Sequence, residues 1–234
     1  MNAAPLAIRN CVALVTGASR GLGRVFTREL LDRGAATVYA GVRDLSAPLE
    51  PGVRPIRLDV TDPDQVSAAA QECGDVTLLI NNAGISNSTR LVKSPSTDPG
   101  RAEMEVNYFG MLNMCRAFAP VLGNNGGGAI ANMLSALSFT TFVGTGTYCT
   151  SKSAAWSLTN GIRLELSKQG TLVVGIHAAY IDTDMTATLD VPKISPAEVA
   201  RLALDGIEKG AVEVLADDIS RELKAALSTH PQAG

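Results

Sequence analysis

The stretch from residue 11 to residue 42 limits the possible folds more than any other part of the sequence. It starts with an apolar, β-branched run at residues 11–16 and continues into a turn at residues 17–23 that holds three glycines. Apolar residues at helical spacing follow as far as Gly34, and a second apolar run occupies residues 37–42. A strand, a glycine-rich turn, a helix and a second strand in this order predict a βαβ unit, in which the two strands are parallel.

The rest of the chain continues the alternation of strands and helices, which predicts an open parallel sheet with helices on both faces. The 234 residues, 46% of them hydrophobic, fit one α/β domain. We therefore expect a single-domain, Rossmann-type doubly wound parallel sheet of about seven strands over residues 1–234, without a separate substrate domain. The further strands are predicted at residues 56–60, 76–81, 129–134, 172–177 and 212–216, and the further helices at residues 63–73, 101–122, 147–167, from Ser195 onward and 220–227.

Charge and composition argue against several classes of function. The net charge of −3 and the pI near 5.4 argue against a nucleic-acid partner, since such domains are usually basic. Apolar runs are of strand length, far short of the ~20 residues that span a bilayer, and residues 1–10 lack the features of a signal peptide. The four cysteines form no CxxC pair, and with His177 and His230 as the only histidines we expect no metal site. Free thiols and the lack of a targeting segment predict a cytoplasmic protein.

The glycine-rich turn at residues 17–23 is the first candidate binding site. Glycine lets the backbone approach a ligand closely, and a helix N-terminus offers unpaired N–H groups and the positive end of its dipole. The spacing here is Gly-x-x-x-Gly-x-Gly instead of the commoner GxGxxG, and an ordinary tight turn is the alternative. The strand before the turn and the helix after it favour dinucleotide binding.

Residues at the end of the second strand discriminate between the two nicotinamide dinucleotides. An acidic residue there would bind the ribose 2′-hydroxyl, whereas an arginine accommodates a 2′-phosphate. The chain has Arg43 directly after this strand and Arg20 in the glycine turn, which favours NADP(H) over NAD(H). Asp44 leaves NAD(H) open, because a shift of one residue would make it the acidic partner of the ribose.

A tyrosine and a lysine form the candidate reactive pair. Tyr148 and Lys152 lie four residues apart at the start of a predicted helix, so both side chains leave the same face. A fixed ammonium favours the phenolate, so the phenol could donate and accept protons near neutral pH. An exposed helix face is the alternative for this pair alone. Further polar residues follow the predicted strands at the carboxyl edge of the sheet, where ligands bind in such folds: Asp59, Asn81, Ser135 and Thr183.

With these residues in view, the chain resembles the classical short-chain dehydrogenase/reductase (SDR) family over essentially its whole length. Residues 16–23 match the family's TGxxxGxG motif, residues 81–84 match NNAG, and a YxxxK motif begins at Tyr148. Ser135 lies 13 residues before that tyrosine, which is the family's usual spacing for its catalytic serine. Asn107 stands at the position of the family's catalytic asparagine.

The resemblance implies an NADP(H)-dependent oxidoreductase that interconverts a small-molecule carbonyl and an alcohol. Tyr148 would give a proton to the carbonyl oxygen in reduction or take one from the alcohol in oxidation. Lys152 would hold the nicotinamide ribose and, with the positive nicotinamide ring, help the tyrosine to ionise. Ser135 would hydrogen-bond the substrate oxygen, and Asn107 would hold a water that links the lysine to solvent. The hydride chemistry belongs to the cofactor.

The resemblance also implies the residues that bind the cofactor. Asp59 and Val60 would lie near the adenine, and Asn81 along the adenosine ribose. Alternatively, Asp59 caps the turn that follows it, and Asn81 stabilises the end of its strand. The full predicted set is Gly17, Ser19, Arg20, Gly21, Leu22, Gly23, Arg43, Asp59, Val60, Asn81, Ala83, Gly84, Tyr148, Lys152, Ile181 and Thr183.

The chain departs from the family pattern in one loop and in the segment that covers the substrate. Ala178 and Ala179 replace the usual Pro-Gly, which puts the contacts of Ile181 and Thr183 in doubt. The covering segment at residues 186–194 is short, which suggests an open site, a small substrate or a lid completed by a partner subunit.

Two other functions compete with the enzyme. The first is a cofactor-sensing protein that binds NADP(H) without turnover, although relatives of that kind typically lack the tyrosine. The second is a sugar-nucleotide epimerase or dehydratase, although such relatives resemble TGxxGxxG and carry a separate substrate domain. The family resemblance further implies a homodimer or homotetramer, formed through the helices that begin near Arg101 and Thr147 and through the strand at residues 212–216.

Overall fold

A parallel sheet forms the centre of the protein. The computed structural model describes residues 4–228, so the ends of the predicted domain 1–234 and His230 lie outside the described residues. Within residues 4–228, seven strands run parallel in the order β3-β2-β1-β4-β5-β6-β7. They are β1 Val12–Thr16, β2 Thr37–Val42, β3 Arg54–Arg57, β4 Leu78–Asn81, β5 Ala129–Met133, β6 Leu172–His177 and β7 Glu213–Leu215. The predicted open parallel sheet is confirmed.

Helices cover both faces of the sheet. On one face, Phe26 and Leu204 belong to the same buried cluster as Val15, and on the other face, Phe118 and Ile162 belong to the same cluster as Leu14. The strands are therefore buried on both sides, which explains why they appear in the sequence as continuous apolar runs. The α-helices of the described part are α1 Gly21–Asp32, α2 Pro63–Glu72, α3 Asp98–Met104, α4 Met111–Asn124, α5 Gly146–Leu166, α6 Pro196–Glu208 and α7 Asp218–Ala225.

The order of the strands places a crevice beside β1. This strand pairs with β2 on one side and with β4 on the other, so the chain changes direction across the sheet at this point. Val15 pairs with Ile80, which brings the glycine turn after β1 next to the segment after β4. Ligands of open α/β sheets bind in such a crevice, outside the carboxyl ends of the strands.

Helix ends follow the capping residues of the sequence. Asp62 caps α2 by accepting hydrogen bonds from the backbone N–H groups of Asp64 and Gln65, and Pro63 lies in the first turn, as predicted. Ser195 caps α6 by accepting from the N–H of Glu198. Residues 195–198 match the Ser-x-x-Glu pattern of a capping box. The carboxylate of that glutamate pairs with Arg201 at 2.7 Å, so only the serine half of the box is formed.

Two predicted elements differ most from the structure. The third strand ends at Arg57 instead of residue 60, because Asp59 and Thr61 form a side-chain-bonded turn there. The single helix predicted at residues 101–122 consists of α3, a π-helical segment Glu105–Gly110 and α4. The wider winding places Asn107 where its amide bonds the backbone of Ile85. Short π-helical segments are frequent at functional sites.

Candidate active site

The glycine turn between β1 and α1 is shaped for close contact with a ligand. Gly17 and Gly21 have φ angles of +66° and +52°, which residues with a Cβ atom rarely adopt. A Cβ atom on Gly23 would lie 2.2 Å from the carbonyl oxygen of Gly17 and 2.5 Å from Nδ2 of Asn82, so only glycine fits there. Helix α1 begins within this turn, and the first N–H groups of a helix have no partner within the helix. The turn therefore fits a phosphate group.

Thr16 and Asn82 fasten this turn to the neighbouring strand end. The hydroxyl oxygen of Thr16 accepts hydrogen bonds from the backbone N–H groups of Asn82 and Ala83, both at 3.0 Å. The side-chain amide of Asn82 donates in return to the carbonyl oxygens of Thr16 at 2.9 Å and Gly17 at 3.3 Å. Neither Thr16 nor Asn82 was among the predicted site residues, although both are polar residues at the ends of adjacent strands, which was the available signal.

The other residues of the turn contribute in different ways. Ser19 is half-buried, and the side chain of Leu22 is buried in the core, so this leucine can face a ligand only through its backbone. The guanidinium of Arg20 lies 3.2 Å from the carboxylate of Asp184, and both side chains are more than 70% exposed. A pair this exposed contributes little to stability, so a ligand phosphate can compete for the arginine.

Arg43 and Asp44 follow β2 directly and differ in their partners. Asp44 accepts hydrogen bonds from the backbone N–H of Ser46 at 2.9 Å and from its hydroxyl at 2.7 Å. These hydrogen bonds lower the pKa of Asp44. Arg43 is exposed and forms no hydrogen bond or ion pair with any residue of the described range 4–228. At the end of β2, the carboxylate of Asp44 is therefore hydrogen-bonded within its own turn, whereas the guanidinium of Arg43 has no partner among residues 4–228.

Asp59 and Val60 lie just beyond β3. One carboxylate oxygen of Asp59 accepts hydrogen bonds from the N–H of Thr61 at 3.0 Å and from its hydroxyl at 2.7 Å. Asp59 thus has the capping contacts that the sequence offered as the alternative to an adenine contact. Val60 is buried and packs against Gly110, where a Cβ atom would come within 2.6 Å of the valine.

The side chain of Asn81 points into the interior. Its amide nitrogen donates to the side-chain oxygen of Asn132 at 2.9 Å, and its own side-chain oxygen is buried without a hydrogen-bond partner among the described residues. The side chain of Asn81 therefore stabilises the end of its strand, which was the alternative interpretation. Only the backbone of Asn81 is placed to contact a ribose. Gly84 faces two of the predicted catalytic residues, since a Cβ atom there would lie 3.1 Å from Asn107 and 3.5 Å from Lys152.

Lys152 lies in the interior of the site. It is 4% exposed, and its ammonium donates a hydrogen bond to the carbonyl oxygen of Met133 at 2.9 Å. Burial lowers the pKa of Lys152 to about 8. The ammonium lies 5.8 Å from the centre of the Tyr148 ring. The predicted pairing of these two residues on one face of a helix is thus present in α5.

Tyr148 is half-buried at the start of α5. Burial raises the pKa of Tyr148 to about 12, and a hydrogen bond with Ser135 acts in the opposite direction. The negative charges of Cys149 in its ionised form and of Glu103 raise this pKa further. The phenol is therefore protonated at neutral pH in the ligand-free protein.

Ser135 follows β5 and is held from several sides. Its hydroxyl oxygen accepts a hydrogen bond from the N–H of Leu137 at 3.1 Å, and its own N–H donates to the hydroxyl of Ser138 at 3.3 Å. His177 at the end of β6 lies with Nδ1 2.9 Å from the carbonyl oxygen of Ser135. Because burial lowers the pKa of His177 to about 4, the ring is neutral near pH 7 and donates through Nδ1. The hydroxyl of Ser138 is thus occupied in holding the backbone of Ser135.

Asn107 is fully buried in the π-helical segment. Its amide nitrogen donates to the carbonyl oxygen of Ile85 and to the hydroxyl of Ser151, both at 2.9 Å, and its side-chain oxygen accepts from the N–H of Ile85 at 2.9 Å. Both amide hydrogens of Asn107 are used in these hydrogen bonds. The side chain therefore has no hydrogen left to donate to a water.

The segment after β6 returns to the glycine turn although Ala178 and Ala179 replace Pro-Gly. The carbonyl oxygen of Ala178 accepts from the N–H of Ala136 at 3.0 Å, and the N–H of Ala179 donates to Asp217 at 2.7 Å. Ile181 then forms a bridge with Ile194. The methyl group of Thr183 lies 3.6 Å from the position of a Cβ atom on Gly21, so this threonine faces the turn.

Taken together, the predicted residues form two groups on either side of the glycine turn. Arg43, Asp59 and Val60 lie at the ends of β2 and β3, whereas the four predicted catalytic residues lie beyond β4. The arrangement can bind an elongated anionic ligand across the end of β1 and place a phenol, a hydroxyl and an ammonium at one end of it. The residues present therefore fit a dinucleotide. Residues 4–228 contain no cluster of three potential metal ligands, and none of their helices has the length and apolarity needed to cross a bilayer.

Comparisons with known proteins agree with this geometry. The sequence model described as short chain dehydrogenase matches residues 11–193. A probable oxidoreductase, EphD of Mycobacterium tuberculosis, is 34% identical over 187 residues, which are 74% of this chain and 31% of that protein. The chain thus spans about a third of the length of this relative.

Two solved structures are similar along nearly the whole chain. A short chain dehydrogenase from Burkholderia cenocepacia J2315, solved in complex with NADP, is 42% identical with a TM-score of 0.93 and covers 97% of both chains. A short chain dehydrogenase/reductase from Burkholderia phymatum, solved in complex with NAD, is 23% identical with a TM-score of 0.86 and covers 98% of this chain and 99% of its own. The second similarity concerns the fold alone.

Proposed function

The chain belongs to the short chain dehydrogenase family, and we propose on this basis that it is an NADP(H)-dependent oxidoreductase that interconverts a carbonyl compound and an alcohol. The convergence of Ser135, Tyr148 and Lys152 beside the glycine turn is the observation that supports this most strongly. A protein that only bound the cofactor would have no need of a buried ammonium next to a phenol. The sensor function remains the alternative.

Tyr148 is the proposed acid and base. Hydride transfer is the chemistry that the cofactor supplies when bound. In reduction the protonated phenol gives its proton to the carbonyl oxygen, and in oxidation the phenolate takes the proton of the alcohol. Ser135 orients the same oxygen through its hydroxyl, in the manner of an oxyanion-hole donor.

Lys152 and Asn107 are proposed to support the tyrosine. The ammonium of Lys152 would hydrogen-bond the nicotinamide ribose and favour the phenolate whenever Tyr148 has given up its proton. A pKa of about 8 lets this lysine exchange protons near neutral pH. Asn107 holds the backbone of Ile85 in place, and we propose that its own backbone carries the water that links Lys152 to solvent.

A preference for NADP(H) is the proposed cofactor specificity. Arg43 is unpaired in the described structure, whereas Asp44 is bonded to Ser46, so the end of β2 offers a cation and not a free carboxylate. A guanidinium suits the 2′-phosphate, and Arg20 can leave its exposed pair with Asp184 to reach the same group. The Burkholderia cenocepacia relative, which is 42% identical, was solved with NADP.

A homodimer or homotetramer in the cytoplasm completes the proposal. A groove of about 650 Å³ lies along the outer side of the helices predicted to associate, and Arg101, Phe109 and Thr150 line it. Phe109 is 45% exposed, and Leu164 further along α5 is 78% exposed. Exposed apolar side chains on these helices suit burial against a second copy of the chain.

Oxidation of NADPH and NADH, followed by absorbance against a panel of aldehydes, ketones and diketones, tests the proposal. We expect turnover with at least one carbonyl compound and a higher kcat/KM for NADPH than for NADH. Faster turnover with NADH would contradict the cofactor assignment. Tight binding of NADPH without turnover on any carbonyl would favour the sensor.

A further inference from the structure

His177 is a buried histidine to which the proposed reaction assigns no role. The residue ends β6, and its side chain is completely buried. Its Nδ1 atom lies 2.9 Å from the backbone carbonyl oxygen of Ser135. Because a carbonyl oxygen can only accept, Nδ1 carries the hydrogen and donates it. The other ring nitrogen, Nε2, is buried without a hydrogen-bond partner among residues 4–228 and lies 3.5 Å from a carboxylate oxygen of Glu213.

Stability alone explains a histidine at this position poorly. In the neutral ring, the Nε2 atom of His177 is a hydrogen-bond acceptor. The side chain of Glu213 offers it no donor, since the carboxylate oxygen nearest to Nε2 itself accepts a hydrogen bond from Lys224 at 3.0 Å. The cost of burying an unpartnered acceptor is at least as large as the gain from one hydrogen bond. An apolar side chain would avoid this cost, so the contact with Ser135 is the feature that requires a histidine.

The ring of His177 also holds the far end of the turn that begins at Ser135. This turn continues as a short 3₁₀-helix over residues 136–138 and ends at Phe139. The rings of Phe139 and His177 are stacked, with centres 4.3 Å apart and planes at 22°. Trp156 on α5 packs edge-on against Phe139, with ring centres 4.9 Å apart. His177 therefore contacts both ends of the turn.

The same turn places the hydroxyl of Ser135. That hydroxyl accepts a hydrogen bond from the N–H of Leu137 at 3.1 Å and is hydrogen-bonded to Tyr148. His177 is not placed to remove the proton of the hydroxyl, because Nδ1 donates to the carbonyl oxygen and Nε2 lies beside Glu213. Any effect of His177 on the reaction therefore acts through the position of Ser135.

We propose that His177 is a positioning residue that fixes the hydroxyl of Ser135 against the substrate oxygen by holding the backbone carbonyl of this serine. The inference rests on the proposed oxidoreductase function, in which Ser135 orients that oxygen. A displaced hydroxyl would stabilise the transition state less well, because such hydrogen bonds depend on exact placement. The loss of the His177 contact should therefore lower kcat and leave the binding of NADPH unchanged.

The test compares His177→Asn with His177→Leu. Asparagine and leucine have the same branching and nearly the same size, but only asparagine has an N–H group near the position of Nδ1. Ile207→Val is the control for a general loss of core packing, since Ile207 is buried in the cluster on the opposite face of the sheet from Trp156. The readouts are kcat and KM for the carbonyl compound and the Kd of NADPH. Each His177 variant is also made in a Ser135→Ala protein.

We expect His177→Leu to lower kcat by about 10- to 100-fold and His177→Asn to stay within about 3-fold of wild type, both with an unchanged Kd for NADPH. Ile207→Val should keep the wild-type kcat. In the Ser135→Ala protein, His177→Leu should change kcat by less than about 2-fold, because the hydroxyl through which His177 acts is gone. Equal losses with and without that hydroxyl would overturn the inference. Equal losses in the leucine and asparagine variants, or a leucine variant that does not fold, would also overturn it.

Nuclear magnetic resonance tests the contact without any substrate. The sequence has two histidines, so ¹⁵N-histidine labelling gives a simple spectrum in which His230→Gln assigns the signals of His177. We expect a hydrogen on Nδ1 of His177 and none on Nε2 at pH 7. An Nδ1 atom without a hydrogen would overturn the inference. A wild-type protein without turnover would contradict the proposed function instead, and the spectrum would still decide whether His177 donates to Ser135.

Discussion

The ammonium of Lys152 lies 5.8 Å from the centre of the Tyr148 ring and only one turn away along α5. Burial shifts the pKa values of the two residues in opposite directions, because it disfavours the charged form of each residue. It lowers the pKa of Lys152 to about 8 and raises the pKa of Tyr148 to about 12. Burial therefore disfavours both the ammonium and the phenolate that the proposed chemistry uses.

Replacing Lys152 by methionine should stabilise the ligand-free protein at neutral pH. The lysine has an unfolded pKa of 10.5 and a folded pKa of about 8, so below pH 8 it is charged in both states and its burial is unfavourable. The penalty is on the order of 2–3 kcal/mol, of which roughly 1 kcal/mol is offset by the hydrogen bond to Met133 that the variant loses. We expect a net gain of about 1–2 kcal/mol in the free energy of unfolding at pH 7.

The pH dependence distinguishes this effect from improved packing. As the pH rises from 8 towards 10.5, the folded lysine loses its charge before the unfolded one does, so the wild type recovers stability relative to the variant. Urea unfolding at pH 7 and pH 10 measures the difference, and the exposed Lys168→Met should change stability by less than about 0.5 kcal/mol at either pH. A gain for Lys152→Met that is the same at both pH values would show that the charge is not its cause.

Arg43→Ala should weaken the binding of NADPH and leave NADH nearly unaffected. Removing a charge-assisted hydrogen bond to a phosphate costs roughly 1.5–3 kcal/mol, which corresponds to about a 10- to 100-fold higher KM for NADPH. Arg28→Ala is the matched control, since Arg28 is an exposed arginine that pairs with Asp32 on α1. Equal losses for the two cofactors, or no loss for either, would remove Arg43 from the cofactor site.

Gly23→Ala should disrupt the turn that carries the phosphate site. The new methyl group would lie 2.2 Å from a backbone oxygen, which only a shift of the turn can relieve. We expect destabilisation by at least about 2–3 kcal/mol and a loss of NADPH binding, measured by urea unfolding and by titration calorimetry. In Gly161→Ala the methyl group has no atom within 4 Å, and this helical substitution should stabilise the protein by up to about 1 kcal/mol. A Gly23→Ala protein with normal stability and binding would contradict the close approach to Gly17.

The elements that the sequence predicted best are those whose local signals agree. Strands β2 and β6 have the predicted bounds, because each is an apolar run with a clear break at both ends. Helix α2 begins at the predicted proline because Asp62 and Pro63 are both favourable in those positions. The glycine turn was predictable because a strand precedes it and a helix follows it.

Other features depend on contacts between distant parts of the chain and leave no local pattern. The π-helical segment Glu105–Gly110 keeps a helical distribution of side chains, so the sequence predicts one continuous helix. The direction of the Asn81 side chain is set by Asn132 on the neighbouring strand. Glu103 resembles any solvent-facing glutamate of a helix, and only the packing of α3 against α5 buries it.

The central claim is that Tyr148 transfers the proton of a carbonyl–alcohol interconversion, and Tyr148→Phe tests it most directly. The variant removes one hydroxyl and leaves the ring in place. Tyr39→Phe is the control, because Tyr39 lies in β2 and its hydroxyl contacts Asp75. The measurement is kcat/KM for NADPH-dependent reduction of the best carbonyl substrate, together with the Kd of NADPH.

We expect Tyr148→Phe to lower kcat/KM by about 10²- to 10⁴-fold, as is usual for the loss of a positioned general acid, while NADPH still binds and Tyr39→Phe keeps wild-type activity. Retention of activity within a few-fold by the folded Tyr148→Phe protein would contradict the account.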